Sequence, residues 1–387
     1  MGWRRPSASY KYDVEPAIAV YDKGSFLMHM SQKSDESWWS KPLRRPQALK
    51  AGDTVAVVSP SWGGPAAFPQ RYEAGKRYIE KAFGLKIREM PHALRPAEWI
   101  DQNPAARAED LNLAFSDPEV CGIIASIGGD DAVRLVPYLD LAVLRDNPKV
   151  FIGYSDPTAL HFACLKAGIG SLHGPTVMSG FGENGGMSPS SRDSFRRAAF
   201  ETSPLGEIPS APEGWTVEDL GWHDAANQRR LRKRTPSRGL RCLRGAGTAR
   251  GFLIGGCAEV LEMLKGTPWW PPVEYWNGAI LFYETSEDAP ADASVLRWMR
   301  NFAAQGILSR ISGLLLGRPG GQISDAQRIA QECSILRALD EAGLPSLPVV
   351  ADLDIGHTDP ILTLPYGAVA EIECATSTVR ILESAVR

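Results

Sequence analysis

The sequence predicts an α/β protein: an N-terminal doubly wound parallel-sheet domain followed by a smaller C-terminal α/β domain with mixed and antiparallel strands. Three observations carry this prediction. Short apolar runs at 54–58, 85–90, 122–127 and 149–153 alternate with segments of helical character at 68–83, 105–116 and 157–167, the signature of a mainly parallel sheet. Beyond residue 251 a strand at 279–283 and a helix at 294–305 continue the mixture, and short alternating runs at 362–364, 368–374 and 378–382 suggest a closing antiparallel sheet. The chain is 387 residues long and 44% hydrophobic, enough for more than one core.

The elements divide the chain into four parts. Residues 1–45 mix charges, prolines and isolated aromatics without a period and read as an irregular tail, with Met28 or Met30 as a more natural start. Residues 46–205 form the expected first domain. In 206–245 the pattern dissolves, and this stretch is expected to cross between domains as a loop over the site. Its basic run Arg229 to Arg234 reads as a solvated face. Residues 246–387 form the second domain.

Composition narrows the function classes. A formal net charge of -3 and a pI near 6.1 give no basic footprint for nucleic acid. No run of about 18 apolar residues predicts a membrane span, and the start of the chain lacks the apolar core of a secretion signal. The six cysteines are scattered without a CxxC pair, so neither a zinc site nor a disulfide framework is signalled. Buried thiols in a reducing cytoplasm are the expectation. No HExxH motif or carboxylate–histidine cluster suggests a metal, and no cofactor is expected.

Candidate chemistry gathers at strand ends, where parallel sheets place their ligands. The stretch 121–140, CGIIASIGGDDAVRLVPYLD, reads as strand, glycine turn and helix. That geometry suits a nucleophile elbow, yet the projecting position is Ala132, which has no hydroxyl. In GYSDP, Pro157 stands where a nucleophile elbow needs its second glycine, so Ser155 and Asp156 are expected to cap the next helix and shape the cleft floor. Among six histidines, His29 falls in the tail, His92 and His223 in polar loops and His161 inside a helix. His173 and His357 follow apolar runs, where an imidazole can face a cleft. Glu284 ends a strand, where a carboxylate can orient an imidazole. Cys257 follows a glycine pair and precedes a helix, so it is either an activated thiol or a buried structural one.

The segments SIGGDDAVRLVPYLD, FIGYSDPTALHFACLKAGIGSLHGPTVMSGFGE, GFLIGGCAEVLEMLKGTPWWP, ILFYETSED and DIGHTDPILTLPYGAVAEIE, in this order, resemble the LD-carboxypeptidase family of serine peptidases. The GGDD turn is similar to the microcin C self-immunity branch rather than to the GGYG of the peptidoglycan-recycling branch. The resemblance implies a cytoplasmic Ser-His-Glu peptidase and a homodimer; a thiol amidotransferase-like enzyme using Cys257 is a separate alternative. It places His357 as general base, Glu284 as its acid partner and Ala132 where the branch has serine. Gly129, Asp131, Val133 and Trp222 are the expected substrate-binding residues, with the Val133 amide for an oxyanion and the Trp222 ring for stacking. The implied partner is a small peptide or peptidyl-nucleotide substrate. With alanine at 132, the chain is either an inactivated variant or a member that binds without cutting.

Overall fold

The structure is a computed structural model that describes Trp39 and residues 41–387. Met28, Met30 and most of the expected tail lie outside the described residues.

Five strands follow the expected alternation: β1 (Thr54–Val58), β2 (Lys86–Glu89), β3 (Val120–Ala125), β4 (Val150–Gly153) and β5 (Leu172–His173). They pair in parallel in the order β5-β4-β3-β1-β2. All four residues of β4 are buried, as expected of a central strand covered by helices on both faces. The order reverses between β1 and β3, and the crevice above such a point is where doubly wound sheets hold their ligands.

Intervening helices begin and end on local signals. The helix Pro69–Phe83 carries proline in its first turn, where a missing N–H costs nothing, and stops at Gly84 in the left-handed conformation (φ 69°). After β3 the expected single helix is split. A 3-10 helix, Ala132–Tyr138, contains Pro137, which has no N–H to donate. The α-helix Leu141–Asp146 then starts on Asp140, whose carboxylate accepts from the Ala142 and Val143 amides.

The second sheet comprises β6 (Gly206–Glu207), β7 (Arg241–Arg244), β8 (Thr248–Cys257), β9 (Ala279–Glu284), β10 (Gly313–Gly317) and β11 (Val349–Leu353), with two later strands. Strands β8, β9, β10 and β11 are parallel. After the short β12 (Leu364–Pro365), β13 (Val369–Glu373) pairs antiparallel with β8, and β14 (Thr378–Ile381) pairs antiparallel with β13. The segment 206–245 contributes β6 and β7 to its two edges. With eight strands against six, the C-terminal sheet is the wider one.

The 362–364 run does not join that antiparallel group. Instead β12 crosses to the first sheet and pairs antiparallel with β5, Leu364 opposite His173. Residues 354–363 therefore bridge the two sheets, and His357 rides on this bridge.

Candidate functional site

The glycine turn after β3 sits at the strand-order reversal. A Cβ on Gly129 would lie 3.0 Å from the Ser61 Cβ in the loop after β1, and one on Gly128 would lie 2.9 Å from the Ser155 side chain after β4. Glycine at both positions lets the turn settle between its neighbouring loops. Ser155 itself has φ 67°, an uncommon conformation for a non-glycine residue at the end of a strand.

Asp156 does not cap its own helix. Its Oδ2 accepts the backbone N–H groups of Asp131 (3.1 Å) and Ala132 (2.8 Å), capping the 3-10 helix of the neighbouring strand. Burial pushes the Asp156 carboxyl up to about 6, although these amides oppose the shift. Asp131 is committed elsewhere: its carboxylate meets Arg107 at 2.7 Å and Arg134 at 3.2 Å, and the Arg107 side chain is fully buried. It anchors the turn. The first internal bond of the 3-10 helix runs from the Arg134 N–H to the Asp131 carbonyl, so the Val133 amide precedes it. Ala132 is fully buried.

Glu284 and His357 meet in space from 73 residues apart. Glu284 is the last residue of β9, and the His357 Nδ1–H donates to its Oε2 at 2.7 Å. Two glycines make room. A Cβ on Gly356 would sit 2.6 Å from Glu284 Oε2, and one on Gly317 would sit 2.6 Å from the Glu284 Cβ. The His357 Nε2 lies 3.3 Å from Glu287 Oε2, an ion-pair contact without hydrogen-bond geometry. Burial alone would push the imidazole down, but Glu284 and Glu287 outweigh it and raise the group to about 9.

The Tyr154 ring stands 5.0 Å from the His357 ring, centroid to centroid. Tyr154, Ser155 and Asp156 are consecutive, so one loop after β4 contacts both the His357 side and the Ala132 turn. His173 has a bracing position: its Nε2–H donates to the Ile355 carbonyl at 2.6 Å, two residues before His357. His161 is also buried, between Ser171 and the Gly153 carbonyl, whereas His92 pairs with Asp110 at 2.9 Å and stacks on Trp99.

The Gly255-Gly256 pair serves close packing. A Cβ on Gly255 would overlap the Phe282 carbonyl oxygen, and one on Gly256 would clash with Thr158. Cys257 follows, and its thiol donates to Glu259 Oε2 at 3.2 Å. Burial and the adjacent Glu284 and Glu259 push this thiol well above its ordinary range, so the start of the helix Ala258–Leu264 does not yield a thiolate. That removes the basis for an activated thiol of the amidotransferase type.

Two expectations from sequence change here. The sequence shows no carboxylate–histidine cluster, but the fold builds one: donor atoms of Cys257, Glu284 and His357 all lie within 4.8 Å of one another. The basic run is not wholly a solvated face either. Arg232 pairs with Glu183 at 2.8 Å, and Arg234 pairs with the buried Asp359 at 2.6 Å. Thr216 and Asp359 also exchange backbone hydrogen bonds, at 2.8 and 3.0 Å, which ties the 206–245 segment to the His357 loop. Trp222 is half-buried, with the Arg71 guanidinium 4.6 Å from its ring and Phe68 edge-on at 5.6 Å.

Tyr154, Glu259 and Glu287 were not singled out from sequence. Glu259 had a weak signal, an acid two residues past a cysteine at a helix start. Glu287 had another, an acid one loop turn beyond Glu284.

These features define a two-sheet α/β protein with a buried histidine–glutamate pair at strand ends. The profile of the LD-carboxypeptidase N-terminal domain matches residues 55–174, and that of the LD-carboxypeptidase C-terminal domain matches residues 250–372. A putative carboxypeptidase of Streptomyces coelicolor is 30% identical over 344 residues, 88% of this chain and 96% of that protein. The microcin C7 self-immunity protein MccF of Escherichia coli is 27% identical over 337 residues, 87% of this chain and 94% of that one. A structure of MccF in complex with glutamyl sulfamoyl guanosine superimposes with a TM-score of 0.77 at 27% identity, over 89% of this chain and 100% of that chain. The chain belongs to the LD-carboxypeptidase family, and this membership supports a peptidase function of the LD-carboxypeptidase or MccF-like type.

Proposed function

We propose that the chain recognises a short peptide or a peptidyl-nucleotide-like amide at the strand ends between the two sheets, through a Ser-His-Glu site whose serine position holds Ala132. The hydrogen bond between His357 and Glu284 carries this reading. It is the arrangement that fixes an imidazole's tautomer and stabilises its protonated form during acyl transfer. In a serine-bearing form, the hydroxyl at 132 would attack the carbonyl as His357 takes its proton. The Val133 amide would hold the oxyanion, and water would then release the acyl group. Glu287, 3.3 Å from the His357 Nε2, must swing away or be displaced by substrate before that nitrogen can take the proton.

Alanine at 132 cannot form the acyl bond. In a triad acting as a unit, such a loss costs on the order of a million-fold in turnover. A second reading, that this chain holds its ligand without cutting, is favoured by one observation: Ala132 has no hydroxyl.

Substrate-binding roles are proposed for Gly129, Asp131, Val133 and Trp222, with Asp131 acting through the shape of the turn. A ligand nucleobase is proposed to displace Arg71 from the Trp222 ring. Free cysteines suit a reducing compartment, so the cytoplasm is proposed. Among the described residues, no helix is long and apolar enough to cross a membrane. A homodimer is proposed on family grounds and is tested by light scattering.

The deciding experiment restores Ala132→Ser and assays hydrolysis of an LD-tetrapeptide and an aminoacyl-sulfamoyl-adenosine beside the unaltered chain. Hydrolysis of either by the restored protein, with binding alone by the unaltered one, is expected. Binding without hydrolysis in both would leave only the holding function.

A further inference from the structure

The second sheet cannot be open and flat. Only residues 245–247 join the end of β7 to the start of β8, yet β9, β10 and β11 stand between these two strands in the sheet order. From Arg244 to Thr248 the chain spans at most about 15 Å, four steps of about 3.8 Å between Cα atoms. Four strand spacings would need about 19 Å. The sheet therefore curls, and its β7 edge meets the hairpin of β13 and β14: the Cys242 N–H donates to Ser377 Oγ in the hairpin turn at 3.0 Å.

Two free cysteines face each other across this seam. Cys242 lies in β7, and its thiol donates to the Arg244 carbonyl at 3.1 Å. Cys374 follows β13, and its N–H donates to the Gly247 carbonyl at 3.0 Å. Its sulfur would lie 3.1 Å from a Cβ on Gly245, so the two sulfurs border consecutive residues of one short link. Glycine at 245, with φ 105°, keeps that approach open. The Cys242 thiol is a hydrogen-bond partner of the Cys374 thiol, and burial first and then this partner push the Cys374 thiol up to about 11. Cys242 is half-buried and Cys374 buried, so an oxidant reaches Cys242 first.

We propose that Cys242 and Cys374 form a thiol–disulfide modification site for an oxidant of the peroxide class. The Cys242 sulfur attacks one peroxide oxygen, the O–O bond breaks, and Cys242 becomes a sulfenic acid as one water leaves. The Cys374 sulfur then attacks the Cys242 sulfur, the S–O bond breaks, and a second water leaves. Two thiols and one hydrogen peroxide thus give one disulfide and two waters: the sulfurs lose two electrons, the peroxide gains them, and both thiol protons end in water. The bond closes a loop from 242 to 374 that contains Glu284 and His357, and it fastens the last strand of the crossing segment to the β13–β14 hairpin. The seam lies at the N-terminal ends of β8 and β11, whereas Glu284 ends β9, which runs parallel to β8. The site is therefore independent of whether any variant hydrolyses an amide.

The test treats reduced, native full-length protein with hydrogen peroxide, blocks the remaining thiols with N-ethylmaleimide in denaturant, and maps the peptides of the monomer band by mass spectrometry without reduction. A disulfide-linked pair of peptides carrying Cys242 and Cys374 is expected. The oxidised protein should melt about 5 °C above the reduced form, and dithiothreitol should reverse both changes. Cys242→Ser and Cys374→Ser should each abolish the linkage and the melting shift, whereas Cys333→Ser, which removes an exposed thiol, should keep both. Maleimide on both Cys242 and Cys374 after peroxide, or linkage of either to a different cysteine, overturns the site. Should the serine variants fail to fold, the unaltered chain decides: faster linkage in the native protein than in denaturing urea supports the site, and an equal or slower rate overturns it.

Discussion

The Oδ2 of Asp156 accepts the Ala132 amide at 2.8 Å, so the residue after the GGDD turn is held by a carboxylate from the adjacent strand. Asp156→Ala would leave two buried N–H groups, those of Asp131 and Ala132, without their acceptor. The expected loss is about 2–3 kcal/mol, read from urea unfolding. Asp156→Asn keeps an acceptor oxygen and should lose much less. Equal stability of Asp156→Ala and the parent would show that the turn does not rely on this carboxylate.

Gly356 is permitted to touch Glu284 because it has no side chain. In Gly356→Ala the new methyl would meet Glu284 Oε2 at 2.6 Å, so the carboxylate or the loop must move. Overpacking of this kind costs about 1–3 kcal/mol. A crystal structure of the variant should show the His357–Glu284 hydrogen bond lengthened or lost, and an unchanged 2.7 Å contact would contradict the prediction.

In the Ala132→Ser background, Glu284→Gln should lower kcat by roughly 10⁴-fold if the pair works as an acid-oriented imidazole. Substrate affinity should change far less, because Glu284 is buried behind His357. Comparable losses in kcat and in binding would argue for collapse of the site instead.

Arg234 and Asp359 link the crossing segment to the His357 loop at 2.6 Å. Arg234→Ala leaves Asp359, 3% exposed at its side chain, close to Glu183 with Arg232 as the remaining cation. Breaking a fully buried pair costs about 3–5 kcal/mol. Arg234 retains 22% exposure, so about 2 kcal/mol is expected. Thermal melting checks the loss, and proteolysis should cut first within 206–245.

Acid should destabilise the protein partly through His161. Burial lowers its imidazole from 6.5 to about 3, with its Nε2–H donating to the Gly153 carbonyl. The folded state keeps this ring neutral while the unfolded chain protonates it below about 6.5. Its contribution is therefore complete above that pH and is lost progressively as pH falls toward 3. Urea midpoints at pH 7, 6, 5 and 4 should fall more steeply for the parent than for His161→Gln.

The strand-and-helix alternation was legible because most of the short apolar runs become central strands with largely buried residues, as in β1, β3 and β4, while the 85–90 run becomes the edge strand β2. Glu284 and His357 were legible as strand-end and loop positions, and the structure brings them to 2.7 Å. What eluded sequence reading was three-dimensional proximity. Cys257 and His357 are a hundred positions apart, and nothing local to either forecasts their encounter. Asp156 looked like a cap for its own helix because capping patterns are local, whereas its actual partners lie across the sheet. The run 362–364 read as part of the closing antiparallel sheet, but the pairing of Leu364 and Pro365 with β5 is set by where the bridge lands.

That landing limits how the molecule can be recombined. Because Leu364–Pro365 supplies the outermost strand of the N-terminal sheet, the two halves matched by the family profiles are not interchangeable parts. A chimera that takes residues up to the crossing from one family member and the remainder from another inherits a foreign edge beside β5, and with it the span of chain on which the imidazole is carried.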